Sequence, residues 1–275
     1  MKKIVLFYFS GTGNTYYVAK KIMEYFRKSD ICDLYSIEKH LADGSDLIES
    51  ADIVGIGYPI YGSSLPKIVK DFISSLKTSN KIAFTFCTQL MFSGDGAAYG
   101  GRLLKKRGFV VKWQEHFNMP NNITDIRILT LRHKMNYQKI EKRISYKTRK
   151  FVQRILSERP YKKGSNFFSL LLGLSQRVAY EKMELNAYPN AIRIKEELCN
   201  GCTLCTLICP TNNLEMKDGI AVSKDYCTLC YRCINHCPKK AMYMILKKGV
   251  KHPYHGPFED FKIKMVLKDD IQNQI

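Results

Sequence analysis

Eight cysteines crowd into residues 199–237 and fall into two groups with one shared spacing. The groups read Cys199-x2-Cys202-x2-Cys205-x3-Cys209-Pro210 and Cys227-x2-Cys230-x2-Cys233-x3-Cys237-Pro238. Each cysteine of the second group follows its counterpart in the first at the same constant offset, which indicates an internal duplication. In a chain of 275 residues that we expect to be cytoplasmic, such dense cysteines indicate metal binding rather than disulfides.

The spacing favours a cubane iron–sulfur cluster over zinc. Three closely spaced cysteines on one loop place three thiolates at three corners of a cubane, and the fourth thiolate must come from another direction. The proline after the fourth cysteine stops the helical turn. Zinc sites remain the alternative, but they usually combine C-x2-C pairs separated by a longer gap.

Residues 190–246 resemble the bacterial two-[4Fe–4S] ferredoxins, in all eight cysteines, both prolines and the duplication. The resemblance implies low-potential one-electron chemistry and crossed ligation, in which each fourth cysteine serves the other cluster. The implied ligands of the first cluster are Cys199, Cys202, Cys205 and Cys237, and those of the second are Cys227, Cys230, Cys233 and Cys209. Small residues beside the sulfurs, such as Gly201, Thr203 and Thr228, leave backbone amides free to hydrogen-bond them.

Upstream of the cysteines, apolar strand patterns alternate with helical ones. We predict strands at 4–9, 33–37, 52–58, 81–87 and 109–117, and helices at 14–26, 64–76, 96–106 and 137–157, with a further helix near 41–50. Ser64 is the expected N-cap of the helix predicted at 64–76, with Pro66 near its first turn. The alternation predicts an α/β fold, a doubly wound, parallel five-stranded sheet that fits the flavodoxin-like order 2-1-3-4-5. The resemblance of residues 190–246 implies that a small α+β two-[4Fe–4S] ferredoxin domain follows it.

The loop after the first strand reads FSGTGNTY, from Phe9 to Tyr16. Gly11 and Gly13 allow several backbone N–H groups to converge, and the helix that follows adds its N-terminal dipole. The loop has no lysine, so it is not a nucleotide-hydrolysing P-loop, and Tyr16 occupies the third glycine position of the dinucleotide fingerprint. A phosphate site and a plain turn both remain open on these residues alone.

This loop resembles the phosphate loop of flavodoxins, which bind flavin mononucleotide (FMN). A second stretch, Pro59-Ile60-Tyr61-Gly62, follows the third strand, where flavodoxins place a loop with an aromatic residue. The resemblance implies a phosphate site, a loop whose Tyr61 stacks on the isoalloxazine ring, and a third loop after the fourth strand at the pyrimidine edge. The implied FMN-binding residues are Ser10, Gly11, Thr12, Gly13, Asn14, Thr15, Pro59, Ile60, Tyr61, Gly62, Thr88, Gln89 and Gly94.

The whole chain resembles the flavodoxin–ferredoxin fusions of anaerobic bacteria and archaea. We expect a flavodoxin-like FMN-binding domain at 1–158, a linker with an amphipathic helix at 159–189, a two-[4Fe–4S] ferredoxin domain at 190–248 and a C-terminal tail at 249–275. The implied cofactors are FMN and two [4Fe–4S] clusters. We expect the linker helix, at 167–183, to dock one domain on the other, with a partner or membrane surface as the alternative.

The formal net charge is +19, and its excess is concentrated. Residues 127–163 hold 13 Lys or Arg against two acids, which predicts a docking face for an acidic redox protein or reductase; a solvated helix face is the simpler alternative. We expect no nucleic-acid binding, because aromatic residues do not interleave this stretch. We expect no membrane span, because no apolar run approaches about 18 residues.

These features predict an electron-transfer protein that passes electrons between two clusters and FMN and on to a redox partner. The alternative is a terminal FMN-dependent reductase, with a small organic substrate bound near Tyr61, Asn121 and Asp95. The sequence supplies no evident proton donor for that reaction, so electron transfer is the leading hypothesis.

Overall fold

The computed structural model describes residues 1–42, 44–124, 135–187, 191–224, 226–244 and 250–267. Two units emerge. The first comprises Met1–Ser10, Asn14–Met119 and Tyr137–Tyr180, and the second comprises Gly11–Gly13, Pro120–Asn136 and Glu181–Ile275. The short segment Gly11–Gly13 therefore groups with the C-terminal part of the chain.

A parallel sheet of six strands, in the order β2-β1-β3-β4-β5-β6, organises the first unit. Its strands are β1 (Lys3–Tyr8), β2 (Ile31–Ser36), β3 (Ile53–Pro59), β4 (Ile82–Gln89), β5 (Val110–Asn118) and β6 (Tyr161–Lys162). The order predicted for the first five strands is confirmed. The two-residue strand β6, which pairs with Trp113 and Gln114, was not predicted because so short a segment carries no periodic pattern.

Helices cover both faces of this sheet, because α1 packs beside α5 and α3 packs beside α4. The helices are α1 (Asn14–Phe26), α2 (Gly44–Glu49), α3 (Lys67–Ser75), α4 (Gly96–Lys106), α5 (Tyr137–Leu156) and α6 (Phe167–Ala187). The bounds of α1 and α4 match those predicted, and α5 differs by one residue. Among the described residues, none of these helices has the length and hydrophobicity of a membrane span.

The expected N-cap at Ser64 is wrong. Helix α3 begins at Lys67, and its N-cap is Pro66, which has the extended backbone angles φ −53° and ψ 144°. Ser64 instead belongs to a tight turn, in which its N–H and C=O pair with the C=O and N–H of Tyr61. Ser64 does not cap α3, because its backbone N–H and C=O are both used in this turn and the helix begins three residues later.

Two glycines of β3 let the aromatic core close over the sheet. Gly55 and Gly57 pair in register with Phe84 and Phe86 of β4. A Cβ atom at Gly57 would overlap the Phe86 ring, so the ring occupies the space that any side chain would need. The Phe86 ring in turn packs edge-on against Phe117, with ring centroids 5.8 Å apart.

The second unit is built around short elements that follow the cysteine duplication. Two antiparallel pairs are present: β7 (Arg193–Ile194) with β10 (Met242–Tyr243), and β8 (Leu214–Lys217) with β9 (Ile220–Ser223). The latter pair is a hairpin whose turn is Asp218-Gly219, both with positive φ, as a type I′ turn requires. Two short helices, α7 (Leu204–Leu207) and α8 (Arg232–His236), begin at matching positions of the duplication.

We expect Gly57→Ala to destabilise the first unit by about 1–3 kcal/mol, the usual cost of overpacking a filled core. Urea unfolding followed by the fluorescence of Trp113, which is buried in this unit, measures the effect. Because Phe86→Leu opens the same space, the double variant Gly57→Ala/Phe86→Leu should lose less than the sum of the two single losses. Strict additivity would contradict this packing relation.

Candidate functional site

The cysteines of the second unit sort into two sets. Burial raises the pKa of the Cys205 thiol to about 12, and the neighbouring thiols that add to this shift are Cys202, Cys237 and Cys199. Burial also raises the pKa of Cys233, and the thiols that add most to this shift are Cys230, Cys227 and Cys209. Each set thus joins three cysteines of one group to the fourth cysteine of the other.

The second set lines a cavity. Cys209, Cys227, Cys230 and Cys233 face it, together with Pro210, Thr211, Thr228, Tyr231, Arg232 and Ile192. The Thr228 hydroxyl is buried and has no hydrogen-bond partner among the described residues. A sulfur-rich group in this cavity would satisfy that hydroxyl, so the lining fits an iron–sulfur cluster.

Zinc fits these cysteines less well. A zinc ion needs its sulfurs at about 2.3 Å from one centre, whereas a cubane holds its four thiolates apart at separate corners. In the described residues, no three His, Cys, Asp or Glu side chains are grouped as ligands of a single ion. None of the ten cysteines is in a disulfide.

The duplication extends to strained backbone positions. Left-handed φ values recur at equivalent positions of the two groups: Gly201 (+69°) with Leu229 (+56°), Thr203 (+59°) with Tyr231 (+60°), and Asn212 (+52°) with Lys240 (+52°). A non-glycine residue in this region costs about 1–2 kcal/mol, so its repetition reflects a shape that both cysteine loops must adopt.

Backbone N–H groups point at the sulfurs in the same repeating manner. The Asn213 N–H donates to Cys209 Sγ at 3.2 Å, and at the equivalent position of the second group the Ala241 N–H donates to Cys237 Sγ at 3.3 Å. The Leu229 N–H donates to Cys227 Sγ at 3.4 Å. Such bonds stabilise thiolate and tune cluster potentials, as expected of amides beside the sulfurs, although the donors differ from the residues singled out in the sequence.

In the first unit, hydroxyl groups gather at the carboxyl ends of β1 and β4. Ser10 and Thr15 are buried on either side of the loop, and Thr15 Oγ1 lies 2.8 Å from Thr88 Oγ1, with which it shares a hydrogen bond. Asn14 begins α1, so the free amides of that helix face the same end of the sheet. This set of neutral donors fits the phosphate of FMN.

The loop after β3 forms a type I′ turn. Gly62 (φ +52°) and Ser63 (φ +59°) are its central residues, and Tyr61 and Ser64 close it. The loop is tied to β4 by the Ile60 N–H, which donates to Thr88 O at 2.9 Å. The Ser64 hydroxyl is fully buried and has no hydrogen-bond partner among the described residues.

The loop after β4 is held by side-chain amides. Gln89 Nε2 donates to Met91 O at 3.0 Å and to Asn118 Oδ1 at 3.2 Å. Gly94, with φ +55°, follows in the left-handed region, which a side chain rarely adopts. Of the residues predicted to bind FMN, Thr88 and Gln89 thus end β4, and Gly94 lies in the loop that follows.

Helix α6 packs on both loops of the first unit. Arg177 is buried and donates from Nη1 to Ser63 O at 3.1 Å and to Asp95 Oδ1 at 2.5 Å. Asp95 is fully buried, and Arg102 forms a second ion pair with it. A Cβ at Gly173 would overlap Asp95 Oδ1, so only glycine lets the helix approach so closely.

These ion pairs bear on the alternative function. The alternative hypothesis places Asp95 near a reductase substrate, but its carboxylate is fully buried and is held by two guanidinium groups. It is therefore a structural anchor for α6.

His116 of β5 supports the start of α4 as a neutral acceptor. Its Nε2 accepts a hydrogen bond of 3.1 Å from the Ala97 N–H. Burial, and then the nearby charges of Lys147 and Lys163, lower the pKa of His116 to about 4. The imidazole therefore stays neutral at physiological pH and keeps this end of the loop in place.

Family models match both parts of the chain. Residues 5–117 match the model described as a flavodoxin domain, and residues 189–241 match the model described as a 4Fe-4S dicluster domain. Ferredoxin-1 of Rhodobacter capsulatus is 37% identical over 54 residues, which cover 17% of this chain and 83% of that protein. The putative oxidoreductase UacF of Escherichia coli is 32% identical over 66 residues, which cover 22% of this chain but only 10% of UacF.

A flavodoxin from the domain Archaea is similar in structure, with 14% identity and a TM-score of 0.38. The similarity covers 56% of this chain and 99% of the archaeal protein.

A flavodoxin domain joined to a dicluster domain defines a class of electron-transfer proteins whose cofactors are FMN and [4Fe–4S] clusters. The chain therefore has the domain composition of a flavodoxin–ferredoxin fusion.

Three contacts of the candidate site were not predicted from the sequence. The pairing of Arg177 with Asp95 joins residues 82 positions apart, and Arg232 reaches Gly11 over 221 positions. Asn122 donates from Nδ2 to Thr12 Oγ1 at 3.1 Å. The helix α6 was predicted, and the signal in the sequence for its close approach to Asp95 was Gly173, because a glycine inside a helix often marks such an approach.

We expect Asp95→Asn and Arg177→Met each to cost about 3–5 kcal/mol, because either change leaves a buried charge without its main partner. The double variant should be more stable than the sum predicts, by an interaction energy that urea unfolding with Trp113 fluorescence resolves. If the two losses simply add, the pair does not anchor α6. Arg159→Met, at an exposed position of the same unit, is the control for a lost guanidinium.

Proposed function

We propose that this protein passes electrons between its two [4Fe–4S] clusters and FMN, and on to a redox partner. The observation that carries the proposal is the cavity that Cys209 of the first cysteine group lines together with Cys227, Cys230 and Cys233 of the second, in a chain that also holds a flavodoxin domain. The cofactors supply the redox chemistry, and the protein binds and orients them.

In this proposal, each cluster takes three ligands from one cysteine group and one from the other. The first cluster is bound by Cys199, Cys202, Cys205 and Cys237, and the second by Cys227, Cys230, Cys233 and Cys209. Cys202 is exposed, whereas Cys227, Cys230 and Cys233 are buried. The first cluster is therefore the one placed to exchange electrons with a separate protein.

FMN would be held by three loops at the carboxyl edge of the sheet. The residues proposed to bind the phosphate are Ser10, Gly11, Thr12, Gly13, Asn14 and Thr15. The residues proposed to contact the isoalloxazine ring are Pro59, Ile60, Tyr61 and Gly62 in one segment and Thr88, Gln89 and Gly94 in another. Thr15 of α1 and Thr88 of β4 share a hydrogen bond, which ties the start of the helix to the end of the strand.

One chain that carries both kinds of cofactor raises their effective concentration for each other. The clusters exchange single electrons, and a flavin accepts one or two, so the combination suits conversion between one-electron and two-electron partners. We propose the domain boundaries at 158, 189 and 248 for this arrangement; residues 188–190, 245–249 and 268–275 lie outside the described residues.

The partner proposed for this protein is an acidic redox protein or reductase. On α5 the side chains of Lys142, Arg149 and Lys150 are exposed and present positive charge at the surface. Residues 127–134 of the basic region lie outside the described part of the chain. The exposed cations of α5 therefore carry this proposal.

After anaerobic reconstitution, the protein should contain one FMN and eight irons. Cys209→Ser should remove the second cluster and Cys237→Ser the first, so each variant should retain about four irons and a distinct electron paramagnetic resonance signal. Cys32→Ser, at a buried cysteine of the first unit, should retain all eight irons. Loss of the cluster on the variant's own side of the duplication would contradict crossed ligation, and iron without flavin would contradict the proposed function.

Lys142→Gln/Lys150→Gln should slow electron transfer to a small acidic ferredoxin used as probe, and should flatten the salt dependence of the rate. Stopped-flow kinetics between about 50 and 200 mM salt measures both, a range in which screening of exposed charges strengthens. The control Lys105→Gln/Lys106→Gln removes the same charge from the end of α4, on the other layer of helices. Equal effects from the two variants would show that net charge, and not the α5 surface, sets the rate.

A further inference from the structure

Arg232 is a buried cation inside the second cysteine group. It lies between Cys230 and Cys233 in the sequence, begins α8, and is 1% exposed. The duplication places Leu204, which begins α7, at the equivalent position of the first group. The two halves of the ferredoxin duplication therefore differ here by one full charge.

The guanidinium of Arg232 donates to two backbone carbonyls of the second unit. Its Nη1 donates to Ile208 O at 2.9 Å, next to the cysteine Cys209. Its Nε donates to Gly11 O at 2.9 Å, at the start of the Gly11–Gly13 segment. Arg232 also lines the cavity that the second set of cysteines surrounds.

We propose that Arg232 is a positioning residue with two roles: it sets the reduction potential of the second cluster, and it pre-shapes the phosphate loop for FMN. The inference rests on the proposed function and assigns one side chain to both cofactor sites.

The first role follows from charge. A cluster bound by four thiolates is anionic and becomes more negative when it takes up an electron. A cation buried at the same cavity interacts with it in a medium of low dielectric constant, where charges act more strongly than in water. Arg232 therefore stabilises the reduced state and raises the potential of the second cluster relative to the first, whose equivalent residue is the uncharged Leu204.

The second role follows from peptide geometry. In a trans peptide the C=O and the next N–H point in opposite directions. Because Arg232 fixes Gly11 O on one side, the N–H of Thr12 faces the other side, where the loop can offer it to an anion. Asn122 steadies the Thr12 hydroxyl in the same segment, and Gly13 adopts φ +94°. The loop is thus held in a binding shape without a lysine of its own.

The experiment compares the reconstituted full-length protein with three variants. Arg232→Leu introduces the residue that the first group already uses, so the local backbone has a precedent for it. Arg232→Lys keeps the charge but loses the planar fork that reaches two carbonyls. Arg193→Leu, at an exposed position of β7, is the control for a lost charge. Iron and flavin content and far-UV circular dichroism establish that each variant is folded and loaded.

Two readouts separate the roles. A redox titration followed by electron paramagnetic resonance should show one of two midpoints lowered in Arg232→Leu by about 59 mV or more, which is a tenfold change for one electron. The FMN dissociation constant, measured by quenching of flavin fluorescence on binding, should rise about tenfold or more in Arg232→Leu, as expected on losing a charged hydrogen bond. Arg232→Lys should keep the midpoint within that range and still weaken FMN binding.

A midpoint in Arg232→Leu that matches wild type or Arg193→Leu would overturn the first role, and an unchanged FMN dissociation constant would overturn the second. Either result leaves the proposed function intact, provided that wild type binds FMN and eight irons. A wild-type protein that fails to load either cofactor would instead refute the proposed function, before any variant is compared.

Discussion

Four thiolates must reach each cluster from more than one direction, and a single short loop supplies only three of them. In the proposed crossed ligation the duplication meets this requirement by exchange: the fourth ligand is Cys237 for the set around Cys205 and Cys209 for the set around Cys233. Each half of the duplication would then depend on the other for a complete site. The repeated left-handed positions and the repeated N–H···S bonds then follow from one loop shape used twice.

The topology of the sheet explains why the loops proposed to bind FMN lie where they do. Parallel strands bring their carboxyl ends to one edge, so the loops after β1, β3 and β4 converge although they are far apart in the sequence. Hydrogen bonds then lock the convergence, as between Thr15 and Thr88 and between Ile60 and Thr88. Helix α6 adds a second fastening through Arg177, which reaches the Ser63 carbonyl and the Asp95 carboxylate together.

Periodic, local patterns made much of the fold predictable. The predicted bounds of helices α1 and α4 match the structure, because apolar spacing marks α1 in the sequence and Gly108 follows the end of α4. The cap of α3 was mispredicted because Ser64 carries a good capping side chain but is committed to a turn. The site divides in the same way: cysteine spacing is a local signal, whereas Arg177 with Asp95 and Arg232 with Gly11 depend on packing between distant segments.

The difference between the two cysteine groups would give electron transfer within the duplicated unit a direction. Equal clusters at equal depth would give an electron no preferred position between them. Here the first set includes the exposed Cys202, whereas three of the four cysteines of the second set are buried, and the second group has the cation Arg232 where the first has Leu204. With the potential of the second cluster raised as proposed, an electron would favour the more buried of the two sites, so one difference between the repeats would give the pair of clusters a direction.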